Sequence, residues 1–159
     1  MLSLEDGTLL VKTARAVIEG YAREGKVPPK PQVSEELAKP RGVFVTLMRR
    51  GQLRGCIGYP LPTKPLIDAL MDAAVSSATR DPRFPPVRPQ ELSEVIVEVS
   101  VLTEPEVIEV KRPSEYPKHV EIGKHGLIVE WSGFAGLLLP QVPVEWGWDV
   151  EEFLSQTCV

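Results

Sequence analysis

Apolar residues recur at Leu10, Ala14, Val17, Ile18 and Tyr21, a spacing that predicts a helix with one buried face. Ser3 followed by Asp6 reads as its N-cap with an acidic third position. Gly25 and the prolines at 28, 29 and 31 end it. The pattern then changes period. GVFVTLMR (residues 42–49) is β-branched with both faces mostly apolar, and LRGCIGY (residues 53–59) follows across Arg50-Gly51, which together predict a hairpin. Leu66, Ile67, Leu70, Ala74, Val75 and Ala78 mark a second amphipathic helix within residues 65–79, broken by the prolines of DPRFPPV (residues 81–87). VIVEVSVLT (residues 95–103) alternates cleanly, with Val95, Val97, Val99 and Val101 on one face and Glu98 and Ser100 on the other.

After Thr103 the signals weaken. Pro105, Pro113 and Pro117 indicate irregular or edge structure. Gly123-Lys124-His125-Gly126 reads as a turn between HVEI and LIVEWS, a second expected hairpin, and LLLP (residues 137–140) as a short buried strand. Asp149 and Glu152 cap a last helix carrying Val150, Phe153 and Leu154. Strands and helices mix without βαβ alternation, so the expected class is α+β, a mainly antiparallel sheet packed with helices.

Composition narrows the function classes. The 159 residues are 43% hydrophobic, enough for one good core with a small appended lobe. No run approaches the roughly 20 apolar residues of a membrane span, and MLSLEDGTLL lacks the basic region and apolar core of a signal peptide. Two cysteines are too few for a disulfide framework, which favours a reducing, cytoplasmic setting. Residues 1–60 carry ten Lys/Arg against six Asp/Glu, whereas residues 61–159 carry eight against sixteen. The basic excess is mild and scattered, unlike the concentrated surface of a nucleic-acid binder. Sixteen prolines and no asparagine follow the trend of heat-adapted proteins.

The chemistry-bearing stretch is LRGCIGY. In an ideal strand Leu53, Gly55, Ile57 and Tyr59 share one face, and Arg54, Cys56 and Gly58 the other. A thiol would then lie beside a guanidinium and next to the space left by Gly58. Cys56 is therefore the candidate nucleophile, with Arg54 to favour its thiolate. His125 is the candidate base, and backbone N–H groups near Gly55 and Gly58 could form an oxyanion hole. The competing reading is a structural cysteine, with glycines where another element packs close. Asp81, Arg83 and Phe84 form either a charged clamp with an aromatic floor or a locally bonded turn. Gln141 either orients a ligand or bonds a backbone group left unpaired after a buried segment. His119, His125, Cys56 and Cys158 fit no zinc spacing, and no phosphate-loop or dinucleotide glycine pattern is present. Neither a metal nor a cofactor is expected.

LRGCIG, SSATRDPRFPPV (residues 76–87), Glu91-Leu92, VSVLTEPE (residues 99–106), GKHGLIVE (residues 123–130) and LLLPQVPVEWGWDVEEFLSQTC (residues 137–158) resemble, in order and spacing, the AMMECR family. The resemblance implies a single AMMECR-type α+β domain over residues 1–159 with a smaller subdomain lobe. It implies no established reaction. Relatives of this kind continue past the position of Cys158 through a KAGL-like segment, a tail expected to be absent here. Microbial relatives recur with Memo-like proteins and radical-SAM enzymes, so the resemblance points to a binding or adaptor protein in a modification pathway. A small enzyme using the Cys56 region is the alternative, with a small-molecule ligand. Nucleic-acid regulation through Arg41, Arg49, Arg50 and Arg54 ranks third.

Overall fold

Ser3 begins α1 (Leu4–Glu24) with a reciprocal cap: its hydroxyl accepts the Asp6 N–H at 3.0 Å, and the Asp6 carboxylate accepts the Ser3 N–H at 3.0 Å. Gly25 closes the helix at φ 67°, where a side chain would be strained. The computed structural model describes residues 2–159 and divides into two compact units, one running to Glu104 and one over Pro105–Val159.

In the first unit a short helix, α2 (Glu35–Ala38), leads to β1 (Val43–Arg49) and β2 (Gln52–Tyr59). The turn between the strands is Arg50-Gly51, both at positive φ, 52° and 76°, the conformation that matches the twist of a two-residue hairpin. After α3 (Leu66–Thr79), β3 (Val95–Val101) pairs antiparallel with β1, which gives the sheet order β2-β1-β3. Helices α1 and α3 cover one face. Leu10, Ala14, Val17 and Ile18 of α1 meet Leu66, Ile67, Leu70, Ala73 and Ala74 of α3 over Val43, Val45, Leu47 and Val95 of the sheet. Each fully buried leucine or isoleucine there contributes about 1.5–3 kcal/mol. The alternation expected for β3 holds: Val95, Val97, Val99 and Val101 belong to or pack against this core. Arg15 of α1 ties the layers, donating to the carbonyls of Leu92 and Val95 at 2.5 and 2.6 Å.

The second unit corrects one expectation. HVEI forms no strand, and β4 (Leu127–Trp131) pairs instead with β5 (Phe134–Leu138) through Ser132-Gly133, both at positive φ. Residues 121–125 do turn, with the N–H groups of Lys124 and His125 both donating to the Glu121 carbonyl, but that turn follows a 3₁₀ segment (Pro113–His119). Ser132-Gly133 supplies the tight positive-φ turn that a two-residue hairpin needs, so LIVEW pairs forward with the strand after it. Two helices follow, α4 (Gln141–Trp146), ended by Gly147 at φ 66°, and α5 (Val150–Thr157). Asp149 caps α5 as expected, accepting the Glu152 N–H at 2.9 Å. Val120, Leu127 and fully buried Phe153 form the small core of this unit. The α+β class expected from the pattern is the one observed.

Candidate functional site

The site forms where β2, an edge strand, meets the proline-rich segment after α3. Cys56 sits opposite Thr46, and its sulfur lies 3.2 Å from the Thr46 hydroxyl. Its backbone N–H faces away from β1. Edge groups of this kind recruit other strands unless something covers them. Here Asp81 does so: its Oδ2 accepts the Cys56 N–H at 2.8 Å. Arg83 completes the cover, donating to Asp81 from Nε at 2.9 Å and Nη2 at 2.7 Å and reaching the Cys56 carbonyl at 3.4 Å. Asp81 also accepts the Arg83 backbone N–H at 3.1 Å. These bonds fix DPRF as a local turn and tie it to the edge of β2 at Cys56.

Asp81 is almost wholly buried, its side chain 2% exposed. Hydrogen bonding from Arg83 holds its carboxyl well below the usual carboxylate range; burial opposes this, and the N–H groups of Cys56 and Arg83 reinforce it. The same pairing raises the Arg83 guanidinium. Phe84 supplies the aromatic element, its ring centre 5.6 Å from the Arg83 guanidinium carbon and 6.0 Å from that of Arg54.

Two expectations about β2 need correction. Leu47 pairs with Gly55, but Met48 pairs with Leu53, so Arg54 is an extra residue in a bulge. The bulge resets the alternation. Leu53 joins Met48 on the face away from the helices, and Arg54 turns from Cys56 to Glu91. There Arg54 Nε and Nη2 bind the two Glu91 oxygens at 3.1 and 3.0 Å. Nor does Gly58 leave room beside the thiol. A Cβ on Gly58 would lie 2.5 Å from the ring of Phe44, its cross-strand partner, so that ring already fills the space. Gly55 answers to close packing as well, because a Cβ there would lie 2.2 Å from the Ser77 carbonyl of α3. The small residues Ala73, Ala74, Ser77 and Ala78, all buried, permit this approach of the helix.

Glu91 is the residue that sequence reasoning passed over. Besides Arg54 it accepts Arg49 Nη1 at 2.7 Å and the Arg88 N–H at 2.9 Å. Arg54 above all lowers its pKa to about 2, with burial opposing and the Arg88 N–H and Arg49 assisting. Its signal in the sequence was Arg88-Pro89-Gln90-Glu91, a helix-start pattern with proline at the first position and an acid at the third. Arg49 and Arg50 both pair with Glu94, and Arg41 with Glu36, so the four arginines considered for nucleic acid all have glutamate partners. His125 and Gln141 belong to the second unit. The His125 Nδ1 accepts the Glu121 N–H at 3.1 Å, a local bond of the turn, and Gln141 is exposed at the start of α4. Among the described residues no group of three or more potential metal ligands occurs, and no helix is long and apolar enough to cross a membrane.

A three-stranded antiparallel sheet backed by two helices, with its cysteine-bearing edge clamped by an Asp-Arg pair, defines an α+β protein built around the LRGCIG strand. The AMMECR1 family model matches residues 11–159, and the chain belongs to that family. It is 57% identical to a protein of Methanothermobacter thermautotrophicus, over 99% of this chain and 83% of that one. A protein of Thermococcus gammatolerans is 56% identical, over 97% and 78%. The crystal structure of uncharacterized protein PH0010 from Pyrococcus horikoshii aligns with a TM-score of 0.94 at 52% identity, covering 99% of this chain and 80% of that one.

Proposed function

We propose that this protein is a binding or adaptor protein that acts beside Memo-like and radical-SAM partners in a modification pathway. The observation that carries this reading is an apolar row on the uncovered sheet face. Leu53, Met48 and Ile96 are paired across the three strands, and Leu53 and Ile96 remain 38% and 61% exposed. Such a row beside the family motif suits burial against another protein. The bonds at Cys56 point the same way. Its sulfur meets the Thr46 hydroxyl, and the neighbouring carboxylate of Asp81 is spent on Arg83 and on the Cys56 N–H. None of these bonds gives the thiol a group free to take its proton, and Arg54, the cation expected beside it, is bound to Glu91.

The test is calorimetric titration of the purified chain with a purified Memo-like protein, and separately with a radical-SAM protein, from the same source. A complex with either that Ile96→Asp weakens at least about tenfold, the cost of losing a well-buried anchor, is the expected result. No complex with either partner overturns the reading. A substrate-dependent turnover that Cys56→Ser abolishes would establish the enzyme alternative in its place.

A further inference from the structure

We propose that the pocket bounded by Arg49, Arg54 and Arg88 binds the phosphate of a small phosphomonoester. This solvent-open depression, about 500 Å³, is completed by Pro85, Gln90 and Glu91 and lies wholly within the first unit. That volume falls in the range of small-molecule sites and leaves room for an organic group beside the phosphate. Donors outnumber acceptors around it. Arg54 commits Nε and Nη2 to Glu91, which leaves the two N–H groups of Nη1 outside those bonds. Arg88 binds Glu91 only through its backbone, and among the described residues its guanidinium has no hydrogen-bond or carboxylate partner.

The one carboxylate lining the pocket does not repel an anion strongly. Glu91 already accepts four hydrogen bonds, from Arg54 twice, from Arg49 and from the Arg88 N–H. It serves as a fixed counter-ion that orients two guanidiniums, as a preorganised anion site requires. Arg49, Arg50, Arg54 and Arg88 set against Glu91 and Glu94 leave two positive charges, a match for the roughly −1.5 to −2 of a phosphomonoester at neutral pH. A dicarboxylate of the same charge splits it between two separated groups, so only one of them can sit among the guanidiniums. Pro85 and the aliphatic stems of the arginines offer an apolar wall to the organic group.

The site needs no partner protein, so its test is separate from that of the binding reading. Glycerol 3-phosphate is titrated calorimetrically into the full chain, with succinate at matched ionic strength as the carboxylate comparison. Saturable, salt-sensitive binding of the phosphate ester, tighter than succinate, is expected. Arg88→Gln should weaken it about tenfold or more, the loss of a charge-assisted contact, while leaving the melting temperature of the free protein unchanged. That variant also separates binding from the general stabilisation by phosphate salts. No saturable binding at millimolar ester, or binding indifferent to Arg88→Gln, overturns the proposal. Tighter binding of a single-stranded oligonucleotide than of the monoester overturns the small-molecule assignment.

Discussion

The buried carboxylate of Asp81 accepts the backbone N–H of Cys56 at 2.8 Å, across 25 residues of sequence. This bond covers the open edge of β2 at Cys56, and Arg83 holds the carboxylate in place by two side-chain hydrogen bonds. The family motif and the DPRF segment are therefore two halves of one structure. Neither half stands alone: without Asp81 the Cys56 N–H loses its partner, and without Arg83 a buried anion loses its counter-ion.

Asp81→Ala should destabilise the protein by about 1–3 kcal/mol, since it leaves the Cys56 backbone donor without its partner, while the half-exposed Arg83 turns to solvent. Arg83→Ala leaves a buried carboxylate facing only two N–H groups and should also be costly. Urea denaturation of both single variants and the double variant checks this. The double variant should lose less than the sum of the singles, because the pair acts as one unit.

Two glycine substitutions should move stability in opposite directions. Gly55→Ala drives a methyl group to 2.2 Å from the Ser77 backbone carbonyl, and forcing α3 away from β2 should cost about 1–3 kcal/mol or more. Gly7→Ala, within α1 with nothing inside 4 Å of the new methyl, should stabilise by about 0.5–1 kcal/mol through helix propensity. Thermal unfolding of the two variants beside the parent reads both effects.

Acid should weaken the protein through Glu91. Its folded pKa of about 2 lies below its ordinary 4.5, so the stability it confers is fully present above pH 4.5 and is lost as pH falls toward 2. The shift corresponds to roughly 2–3 kcal/mol, solvent screening allowed for. Asp81, also depressed, adds to the loss in the same direction. Denaturant midpoints measured from pH 7 to pH 2 should fall across this window, and less steeply in Glu91→Gln.

The two thiols should differ in access. Cys158 is exposed near the end of α5, whereas Cys56 is half-buried with its sulfur against Thr46. Mass spectrometry after timed treatment with iodoacetamide should show Cys158 modified first, by about tenfold or more in rate. Denaturant should erase the difference. Thr46→Ala should bring the native rate of Cys56 closer to that of Cys158.

Much of the first unit was legible before folding was considered. The α1 cap at Ser3 and Asp6, the Arg50-Gly51 turn and the valine face of β3 all depend on neighbours within four residues. The weak region lay after Thr103. HVEI and LIVEWS both resemble strands, and only the Ser132-Gly133 turn, with its two positive φ angles, decided that β4 pairs with β5. Within the site, Cys56, Asp81, Arg83 and Phe84 were singled out from residue chemistry and do assemble. Glu91 was not, because its helix-start pattern marks a local cap and carries no sign of the arginines it will meet.

By itself the sequence determined the periods of the helices and strands, their caps and turns, and the proline-rich break after α3, all of which are written in local spacing. Only the tertiary structure decided that a bulge at Arg54 turns this side chain from Cys56 toward Glu91, 37 residues away, and that Phe44 fills the space over Gly58. The reason is physical. Local propensity acts through backbone neighbours, whereas register, clamps and ion pairs form between groups that come together only when the sheet closes against its helices.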